Sequence, residues 1–384
     1  MKIGMLVSHP TQFDAPFFRY ASEDRAHSFR VIYWDERQTQ STVDPELDRE
    51  IQWGIDLFGG YSSVVMPVTR LASRLWHEIR DQQFDLLVVN GYNHWVLLAA
   101  VGLARLTGSA VALRLDSVAA DAFSGLKGRV KRRVLPVLFG RYHAFLAVSS
   151  LTRQYLIDQR VSPDSIRYFT YCVDHAWFRA RSVLTNDQRV AIKRRFGLAP
   201  DKKLILAIAK LTPRETPWDL LRVASSLDRG DVELLLAGDG LERPEVTELT
   251  RHARMHVALP GYVQYTDLPS LYAIADVFVH APRREPYGVS VAEALACGVP
   301  VIAASTVGAA YDFIIEGQNG FVYELGDSEQ LKDRLVTALD ALDGDRLRHV
   351  SAPVLEQWNH QATWKSILEC ARQARAPDRE EVRT

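Results

Sequence analysis

The sequence predicts an α/β protein built from two Rossmann-like, doubly wound parallel-sheet domains. Short buried runs rich in Val, Ile and Leu alternate with helical patterns along the chain, as in parallel sheets that carry helices on both faces. The 384 residues exceed one ordinary domain and are enough for two. A hydrophobic content of 47% and a charged content of 24% are typical of globular proteins.

Charge and cysteine content exclude several kinds of protein. The net charge of −1 gives no indication of nucleic acid as a partner. The three cysteines, Cys172, Cys297 and Cys370, are odd in number and far apart, which argues against a disulfide framework or a zinc site. No apolar stretch approaches the roughly 20 residues of a membrane span, and Met1–Val7 is too short for the core of a signal peptide. We therefore expect a cytoplasmic protein.

Buried strand patterns and helical patterns alternate in the N-terminal half. The predicted strands are Lys2–Val7, Phe29–Trp34, Val64–Val68, Phe84–Asn90, Ala110–Leu115, Ala144–Ser149 and Ile166–Thr170. Helical patterns cover Leu71–Arg80, His94–Leu106 and Leu126–Phe139, and Ser150 is predicted to cap a further helix. Residues 35–62 mix Gln, Thr, Pro and Gly with aromatic residues, which is typical of either a binding loop or a poorly ordered excursion.

The C-terminal half repeats this alternation. The predicted strands are Lys203–Ala209, Val232–Ala237, Val257–Leu259, Val277–His280, Val299–Ala304 and Phe321–Tyr323. The predicted helices are Asp187–Phe196, Pro217–Leu227, Pro244–Ala253, Asp267–Ile274, a helix from Val289, Leu331–Leu342 and the amphipathic stretch Gln357–Gln373. Residues 180–201, which hold scattered charges, are interpreted as a linker region.

A strand, a loop and a helix in the second half form the candidate site. The strand Val277–His280 is followed by a turn at Pro286 and Gly288, and good helix formers run from Val289 to the stop signal at Gly298. The first turn of such a helix binds anions through its unpaired N–H groups and the positive end of its dipole. The layout therefore predicts an anion site.

Two carboxylates lie on either side of this predicted anion site. Glu285 lies in the loop and Glu293 lies in the helix. The backbone N–H groups of Gly288, Val289 and Ser290 would meet a diphosphate, and the carboxylates would meet hydroxyl groups at its two ends, as in a nucleotide sugar. In the structural alternative, Glu285 caps the helix and Glu293 is a solvated helix residue.

The stretch from Glu285 to Glu293 resembles the Glu-x7-Glu signature of retaining, GT-B-fold glycosyltransferases of family 4. The runs Gly298–Ala303 and Glu316–Val322 are similar to the same family, and the resemblance is strongest over residues 200–330. It implies two Rossmann-like domains facing a central cleft. It also implies transfer of a sugar from a nucleoside diphosphate sugar, with UDP favoured, to an acceptor hydroxyl with retention of anomeric configuration.

The resemblance also implies roles for single residues and for the domains. Glu293 would hold the ribose hydroxyls and Glu285 those of the transferred sugar, while Val263 and Leu268 would lie near the base. The implied organisation is an acceptor-binding domain at residues 1–180, a nucleotide-sugar-binding domain at 181–356, and a segment at 357–384 that comprises a helix crossing back to the first domain and a frayed tail.

A cationic loop follows the strand Lys203–Ala209. It resembles a family loop whose two cations grip the diphosphate, with Lys210 in the first cationic place and Glu215 in the second. Arg214 is the predicted substitute for the second cation. Glu215 would either turn away and pair with a cation or contact a cationic group on an amino sugar. Lys210 and Glu285 are the predicted catalytic residues.

The loop after the first strand is a candidate for binding the acceptor. His9, Gln12, Phe13 and Asp14 follow a strand at its carboxyl end, where ligands bind in doubly wound sheets. The run resembles a His-Pro-x-Gln-aromatic subset of the family. The alternative is a turn in which Asp14 caps the next helix.

A second acceptor segment is predicted at the end of the strand Ala110–Leu115. Arg114 and Asp116 lie where family members often place a His or a charged residue that touches the transferred sugar. The alternative is a salt bridge between these two side chains. The predicted partner is a hydroxyl acceptor, which would be a glycan, a lipid-linked glycan or a small-molecule natural product.

No metal or other cofactor is predicted. The sequence lacks a convincing Asp-x-Asp loop, since Asp239 stands alone, so cations and the helix terminus would stabilise the diphosphate. Two alternatives remain, a nucleotide-sugar epimerase of the same fold and a degenerate nucleotide-sugar-binding protein. A nicotinamide dehydrogenase is disfavoured because no Gly-x-Gly-x-x-Gly follows the first strand.

Residues 126–139 combine basic and apolar side chains in a helical pattern. Such a basic amphipathic helix either lies on an anionic membrane surface or is a solvated face. The first reading would place the protein at the inner face of the membrane as a peripheral protein.

Overall fold

The structure is a computed structural model that describes residues 1–36, 43–44, 49–50, 56–118, 125–341 and 344–375. Within these, the side chains of 43–44, 49–50, 125–128, 130–132, 341 and 344–349 are not described. Most of the 35–62 stretch, part of the basic face at 126–139 and the tail predicted to be frayed therefore lie outside the described residues.

A seven-stranded parallel sheet organises the first half of the chain. Its strands are β1 (Lys2–Val7), β2 (Ser28–Tyr33), β5 (Ser63–Val65), β6 (Leu86–Asn90), β7 (Ala110–Leu115), β8 (Ala144–Ala147) and β9 (Ile166–Tyr168). Their order is β5-β2-β1-β6-β7-β8-β9, with parallel pairing throughout. The strand order reverses beside β1, so the loop that leaves β1 lies at a topological switch point.

A six-stranded parallel sheet organises the second half. Its strands are β10 (Lys203–Ile208), β11 (Val232–Ala237), β12 (Val257–Gly261), β13 (Val277–His280), β14 (Val301–Ala304) and β15 (Gly320–Tyr323). Their order is β12-β11-β10-β13-β14-β15, again with parallel pairing. Here the order reverses beside β10, which places the ends of β10 and β13 at the switch point. A short antiparallel pair, β3 (Val43–Asp44) and β4 (Arg49–Glu50), forms a separate two-stranded sheet.

The α-helices connect these strands in sequence. In the first half they are α1 (Asp14–Glu23), α2 (Leu71–Gln82), α3 (Trp95–Leu106), α4 (Gly125–Phe139), α5 (Ser150–Asp158) and α6 (His175–Arg181). In the second half they are α7 (Asn186–Arg195), α8 (Trp218–Ser226), α9 (Arg243–Arg251), α10 (Leu268–Ile274), α11 (Val289–Ala296), α12 (Gly308–Phe313), α13 (Ser328–Ala341), α14 (Gly344–Gln357) and α15 (His360–Arg375).

The chain divides into two compact units. Val173–Gln357 contribute to the second, whereas the segment from Trp358 onward returns to the first. The last helix, α15, packs on one face of the first sheet, where Trp364 and Ile367 join a core that includes Phe17. The boundaries between the two compact units fall at 172/173 and at 357/358. The predicted limits of the functional domains, 180/181 and 356/357, stay predictions.

Three local predictions are wrong. Ser149, and not Ser150, caps α5, because its side chain accepts a hydrogen bond from the Thr152 N–H at 3.3 Å. Helix α14 is missing from the prediction, and the helix predicted at 357–373 is interrupted, because Gln357 ends α14 and residues 358–359 are not helical. Asn359 starts a new helix by accepting the Ala362 N–H at 2.9 Å. Within the region interpreted as a linker, the predicted helix 187–196 is confirmed as α7, whose buried Lys193 donates to the Lys202 carbonyl at 2.5 Å.

Within the described part of the chain, no helix is both long enough and apolar enough to cross a bilayer. Helix α4 carries exposed Val134 and Val137, but a contact between residues 126–139 and a membrane stays a prediction.

Candidate active site

The turn at Gly288 determines how β13 leads into α11. Gly288 is the residue that precedes the helix and has a φ of +96°, a left-handed conformation that glycine adopts without strain. A Cβ at this position would lie 2.8 Å from the Val307 side chain and 3.3 Å from the His280 ring. The first N–H groups of the turn, on Gly288, Val289 and Ser290, have no acceptor among the described residues. The predicted anion site therefore has its donors.

Glu285 lies beside this turn in a well-braced loop. The Glu285 N–H donates to the Thr306 carbonyl at 3.4 Å, and the Glu285 carbonyl accepts the Gly308 N–H at 3.0 Å. Its carboxylate accepts the Tyr287 N–H at 3.1 Å, so the alternative that Glu285 caps α11 is wrong. Burial raises the pKa of Glu285, and the nearby Glu215 carboxylate adds to that rise.

Glu293 is buried inside the unit and is only 3% exposed. The alternative of a solvated helix residue is therefore wrong. Its carboxylate accepts a hydrogen bond from the Tyr272 hydroxyl at 2.9 Å. Burial raises its pKa to about 7, and the Tyr272 bond offsets only part of that rise. Such a perturbed carboxyl is typical of a functional site.

The cationic loop packs against the loop that carries Glu285. The Arg283 N–H donates to the Arg214 carbonyl at 2.8 Å, so the two loops are joined through their backbones. The Arg214 guanidinium forms an ion pair with Glu215, and the second oxygen of Glu215 accepts the Lys210 N–H at 3.4 Å. Glu215 therefore pairs with a cation, Arg214. Arg214 is also the residue predicted to substitute for the second cation at the diphosphate.

Two glycines allow a neighbouring loop to support the cationic loop. Gly238 and Gly240, after β11, have φ values of +147° and +151°. A Cβ on Gly238 would lie 1.8 Å from the Ala209 carbonyl oxygen, and one on Gly240 would lie 2.4 Å from that of Leu211. Only glycine allows backbones to approach this closely, so this contact fixes the segment on both sides of Lys210.

The predicted base contacts lie at the end of β12 and the start of α10. Val263 and Leu268 are both partly exposed. The carboxyl end of β12 is at the same sheet edge as that of β10, since all strands of the sheet are parallel. Their role at a base stays a prediction.

Sequence reasoning missed two residues of this site. His280 ends β13, is 8% exposed, and its Nε2 has no hydrogen-bond partner in the part of the chain that the structure describes. Burial lowers its pKa to about 4. A histidine at the carboxyl end of a buried strand is a signal that could have found it. Tyr272 has no such signal, because it meets Glu293 only through the fold.

The predicted acceptor loop after β1 is partly exposed at His9, Gln12 and Phe13. The His9 ring is 2.9 Å from the Ser8 hydroxyl, and Phe13 makes an edge-on contact with Tyr171, with ring centroids 6.2 Å apart. The structure thus keeps this loop at the switch point of the first sheet.

Asp14 and Arg114 form a buried ion pair. Arg114 Nη1 donates to Asp14 Oδ1 at 2.8 Å, and the Arg114 side chain is 0% exposed. The guanidinium lies 4.0 Å from the centroid of the Phe169 ring and 4.5 Å from that of Tyr171. Burial lowers the pKa of Arg114, and Asp14, Tyr171 and Asp116 together more than offset this, so the pKa is raised overall.

This pair corrects two alternatives. Asp14 does not cap α1, whose N-cap residue is Phe13 with no side-chain bond, and Arg114 pairs with Asp14 rather than with Asp116. Asp116 is exposed. A direct acceptor contact by Arg114 stays a prediction, and its observed contacts are those of a residue that holds the β1 loop to β7.

Glu293→Gln should change how stability depends on pH. In the folded protein the Glu293 pKa rises from its ordinary value of 4.5 to about 7, so wild type binds more protons folded than unfolded across that interval. Its stability therefore falls as pH rises from 4.5 to 7. The free energy of unfolding of Glu293→Gln relative to wild type should increase by about 2–3 kcal/mol between pH 5 and pH 8. Denaturant titrations measure this, with exposed Glu329→Gln as control. A constant difference across pH would contradict it.

Arg114→Met should destabilise the protein by about 3–5 kcal/mol, because it leaves the Asp14 carboxylate buried without its partner. The matched control is exposed Arg74→Met in α2, for which little change is expected. Adding Asp14→Asn to Arg114→Met should restore part of the loss, since no uncompensated charge then remains. Chemical denaturation of the three proteins tests this, and a double variant less stable than Arg114→Met would count against it.

No group of three or more His, Cys, Asp or Glu side chains that could hold a metal ion occurs among the residues described. Asp239 instead lies 3.5 Å from Arg243. The metal independence predicted from the sequence remains a proposal.

Comparison with known proteins identifies one domain of the chain. Residues 188–348 match the family described as glycosyl transferases group 1. The GDP-mannose-dependent monoacylated alpha-(1-6)-phosphatidylinositol monomannoside mannosyltransferase of Corynebacterium glutamicum is 25% identical over 317 residues, which is 79% of this chain and 78% of that protein. The N-acetyl-alpha-D-glucosaminyl L-malate synthase of Bacillus anthracis is 26% identical over 149 residues, or 38% of this chain and 39% of the synthase.

A solved structure supports the fold over nearly the full length. HepE from Anabaena, in complex with UDP, superposes with a TM-score of 0.75 at 18% identity, covering 96% of this chain and 99% of HepE. At that identity the likeness concerns the fold alone. The predicted fold class is confirmed, while membership of the His-Pro-x-Gln-aromatic subset stays a prediction. The chain therefore has the GT-B type of fold, with two Rossmann-like units, and its residues 188–348 are similar to the glycosyl transferases group 1 family.

Proposed function

We propose that this protein transfers a sugar from a nucleoside diphosphate sugar to an acceptor hydroxyl. The observation that carries the proposal is the start of α11, where unpaired backbone N–H groups lie in the chain between the partly exposed carboxyl of Glu285 and the buried carboxyl of Glu293. An anion site with a hydroxyl-binding group on each side fits a ligand with ribose at one end of a diphosphate and a sugar at the other. Glu293 would bind the ribose and Glu285 the transferred sugar.

The cationic loop would complete the diphosphate site. Its backbone bond to the loop of Glu285 brings Lys210 and Arg214 to the same edge of the sheet. Arginine has five N–H donors, so the ion pair with Glu215 does not by itself prevent Arg214 from donating to a phosphate. Glu215 would then orient Arg214 while reducing its net charge. This arrangement would leave Lys210 as the main positive charge at the diphosphate.

The donor base is proposed to be uracil. HepE, which shares the fold, was solved with UDP, whereas the Corynebacterium glutamicum relative is GDP-mannose-dependent. Both bases therefore belong in the test.

In the proposed reaction, the bond between the anomeric carbon and the diphosphate breaks as the acceptor oxygen forms its new bond. The negative charge that develops on the departing diphosphate would be stabilised by the dipole and N–H groups of α11 and by Lys210. The leaving phosphate would take the acceptor proton. No side chain of the protein is assigned as a nucleophile toward the anomeric carbon. Retention of configuration and independence from divalent metal are parts of this proposal.

The acceptor would bind to the first unit near the loop that leaves β1. His9, Gln12 and Phe13 are partly exposed there, and the Asp14–Arg114 pair would hold the loop in position. The relatives use acceptors as different as a phosphatidylinositol mannoside and L-malate, by their names, so they support a hydroxyl acceptor without identifying it.

Glu293→Ala should weaken UDP binding by roughly 1–3 kcal/mol, or about 5- to 150-fold, because hydrogen bonds to a charged group are lost. Isothermal titration calorimetry with UDP and, separately, GDP measures this. Exposed Glu329→Ala is the control and should bind like wild type. UDP binding that is equal in Glu293→Ala and wild type would reject the ribose assignment, and tighter binding of GDP would reject uracil.

The reaction should continue in EDTA, since the charge stabilisation proposed comes from α11 and Lys210. A panel of labelled nucleotide sugars is incubated with the enzyme in EDTA, and NMR reports the anomer released or transferred. The expected product has the anomeric configuration of the donor and is absent with Lys210→Ala. Activity that requires added magnesium or manganese, or an inverted product, would contradict the mechanism. Conversion of the donor into its epimer would favour the epimerase instead.

A further inference from the structure

The first unit contains a pocket that the proposed chemistry has not used. Its volume is about 650 Å³, within the range of about 300–1,000 Å³ usual for small-molecule sites. Three segments line it: the residues that follow β2, residues 68–73 at the start of α2, and the start of α3. All are described, and all belong to the first unit.

The pocket lies next to the loop that leaves β1. β1 is paired with β2 on one side and with β6, which precedes α3, on the other. The Asp35 N–H donates to the Ser8 carbonyl at 3.1 Å, so the pocket wall and the predicted acceptor loop share a backbone bond. This is the sheet edge where ligands bind in doubly wound folds.

Aromatic rings form one part of the lining. Trp34 and His94 are stacked, with ring centroids 4.3 Å apart and planes at 23°, and Trp95 is 57% exposed beside them. The Trp34 Nε1–H is buried and has no hydrogen-bond partner among the described residues. The exposed apolar surface of the Trp95 indole is unfavourable in water, and it offers a large flat face to a ligand.

Polar groups form the other part. Asp35, Thr69, Arg70 and Ser73 line the same space, and together they supply a carboxylate, two hydroxyls and a guanidinium. A purely apolar ligand would remove these charged and polar groups from water, which is unfavourable. A phosphate-rich ligand would meet the Asp35 carboxylate. The mixture fits a ligand that is apolar on its faces and carries hydroxyls around its edge.

We propose that this pocket binds a sugar ring of a glycan acceptor, with its C–H face on Trp95 and its hydroxyls toward Asp35 and Arg70. The proposal rests on the proposed function, since it names the acceptor class for that transfer. The pocket volume accommodates more than one ring, so the acceptor is the end of an oligosaccharide. The hydroxyl that reacts then lies toward the loop of Ser8 and His9.

Saturation-transfer difference NMR on the full chain tests this with three probes: maltose, lactose and α-1,6-mannobiose at millimolar concentration. At least one disaccharide should bind, with the strongest signals on the C–H protons of one face. Trp95→Ala should weaken that binding by about tenfold, the scale of a lost stacking contact. Trp95→Phe keeps an aromatic face and should retain most of it.

The matched control is Leu106→Ala, which removes another exposed apolar side chain from the same helix, far from the pocket along the sequence. It should bind the disaccharides like wild type. The proposal is overturned if none of the three sugars binds, if Trp95→Ala binds them as well as wild type, or if octanol binds at Trp95 and the sugars do not, which indicates a lipid chain.

Failure of this proposal is distinct from failure of the proposed function. UDP calorimetry with Trp95→Ala should match wild type, because the second unit carries the donor site. Sugar binding without any binding of UDP or GDP would reject the transferase and leave the pocket assignment standing. UDP binding with no disaccharide binding would reject the pocket assignment and leave the proposed transferase standing.

Discussion

The lack of space at Gly288 is the constraint on which the donor-side geometry depends. The side chains of Val307 and His280 occupy the volume that a Cβ would need, and the left-handed φ brings β13 directly into α11. Glu285 can therefore bond to Thr306 and Gly308 through its backbone while its carboxyl remains beside the helix terminus. The charge of a ligand would meet backbone dipoles that are fixed before it arrives, so little reorganisation is needed.

The burial of Glu293 is unfavourable to stability once its carboxyl ionises. A carboxyl whose pKa is raised to about 7 destabilises the folded protein whenever it ionises. Tyr272 supplies one hydrogen bond, which leaves acceptor capacity on the carboxylate. A hydroxyl-bearing ligand would satisfy that capacity, so the unfavourable burial and the proposed ligand contact are two aspects of one arrangement.

The sequence predicts the sheets well because most of their parallel strands are largely apolar runs, as at β8 and β14. It misses α14 because glycine and proline usually end helices, whereas here Gly344 begins the helix and Pro353 lies inside it. In the site, Glu285, Gly288 and Glu293 are found because they belong to one local strand–loop–helix pattern.

The other parts of the site come from contacts between residues that are distant in sequence. Tyr272 reaches Glu293 across two helices, and Arg114 reaches Asp14 across 100 positions. No local pattern predicts either pair. The pocket lined by Trp34 and Trp95 is likewise assembled from three separate segments, so a sequence gives its components without indicating that they meet.

Helix α15 has a consequence for the order in which the protein forms on the ribosome. The core of the first unit includes Trp364, Ile367 and Cys370, which are synthesised after the second unit is complete. Although domains usually fold as they emerge, N-terminal first, this one lacks part of its interior until α15 has been synthesised. Until then the Phe17 and Phe29 rings of the nascent first unit would lack their contact with Trp364, which leaves apolar surface open to wrong association.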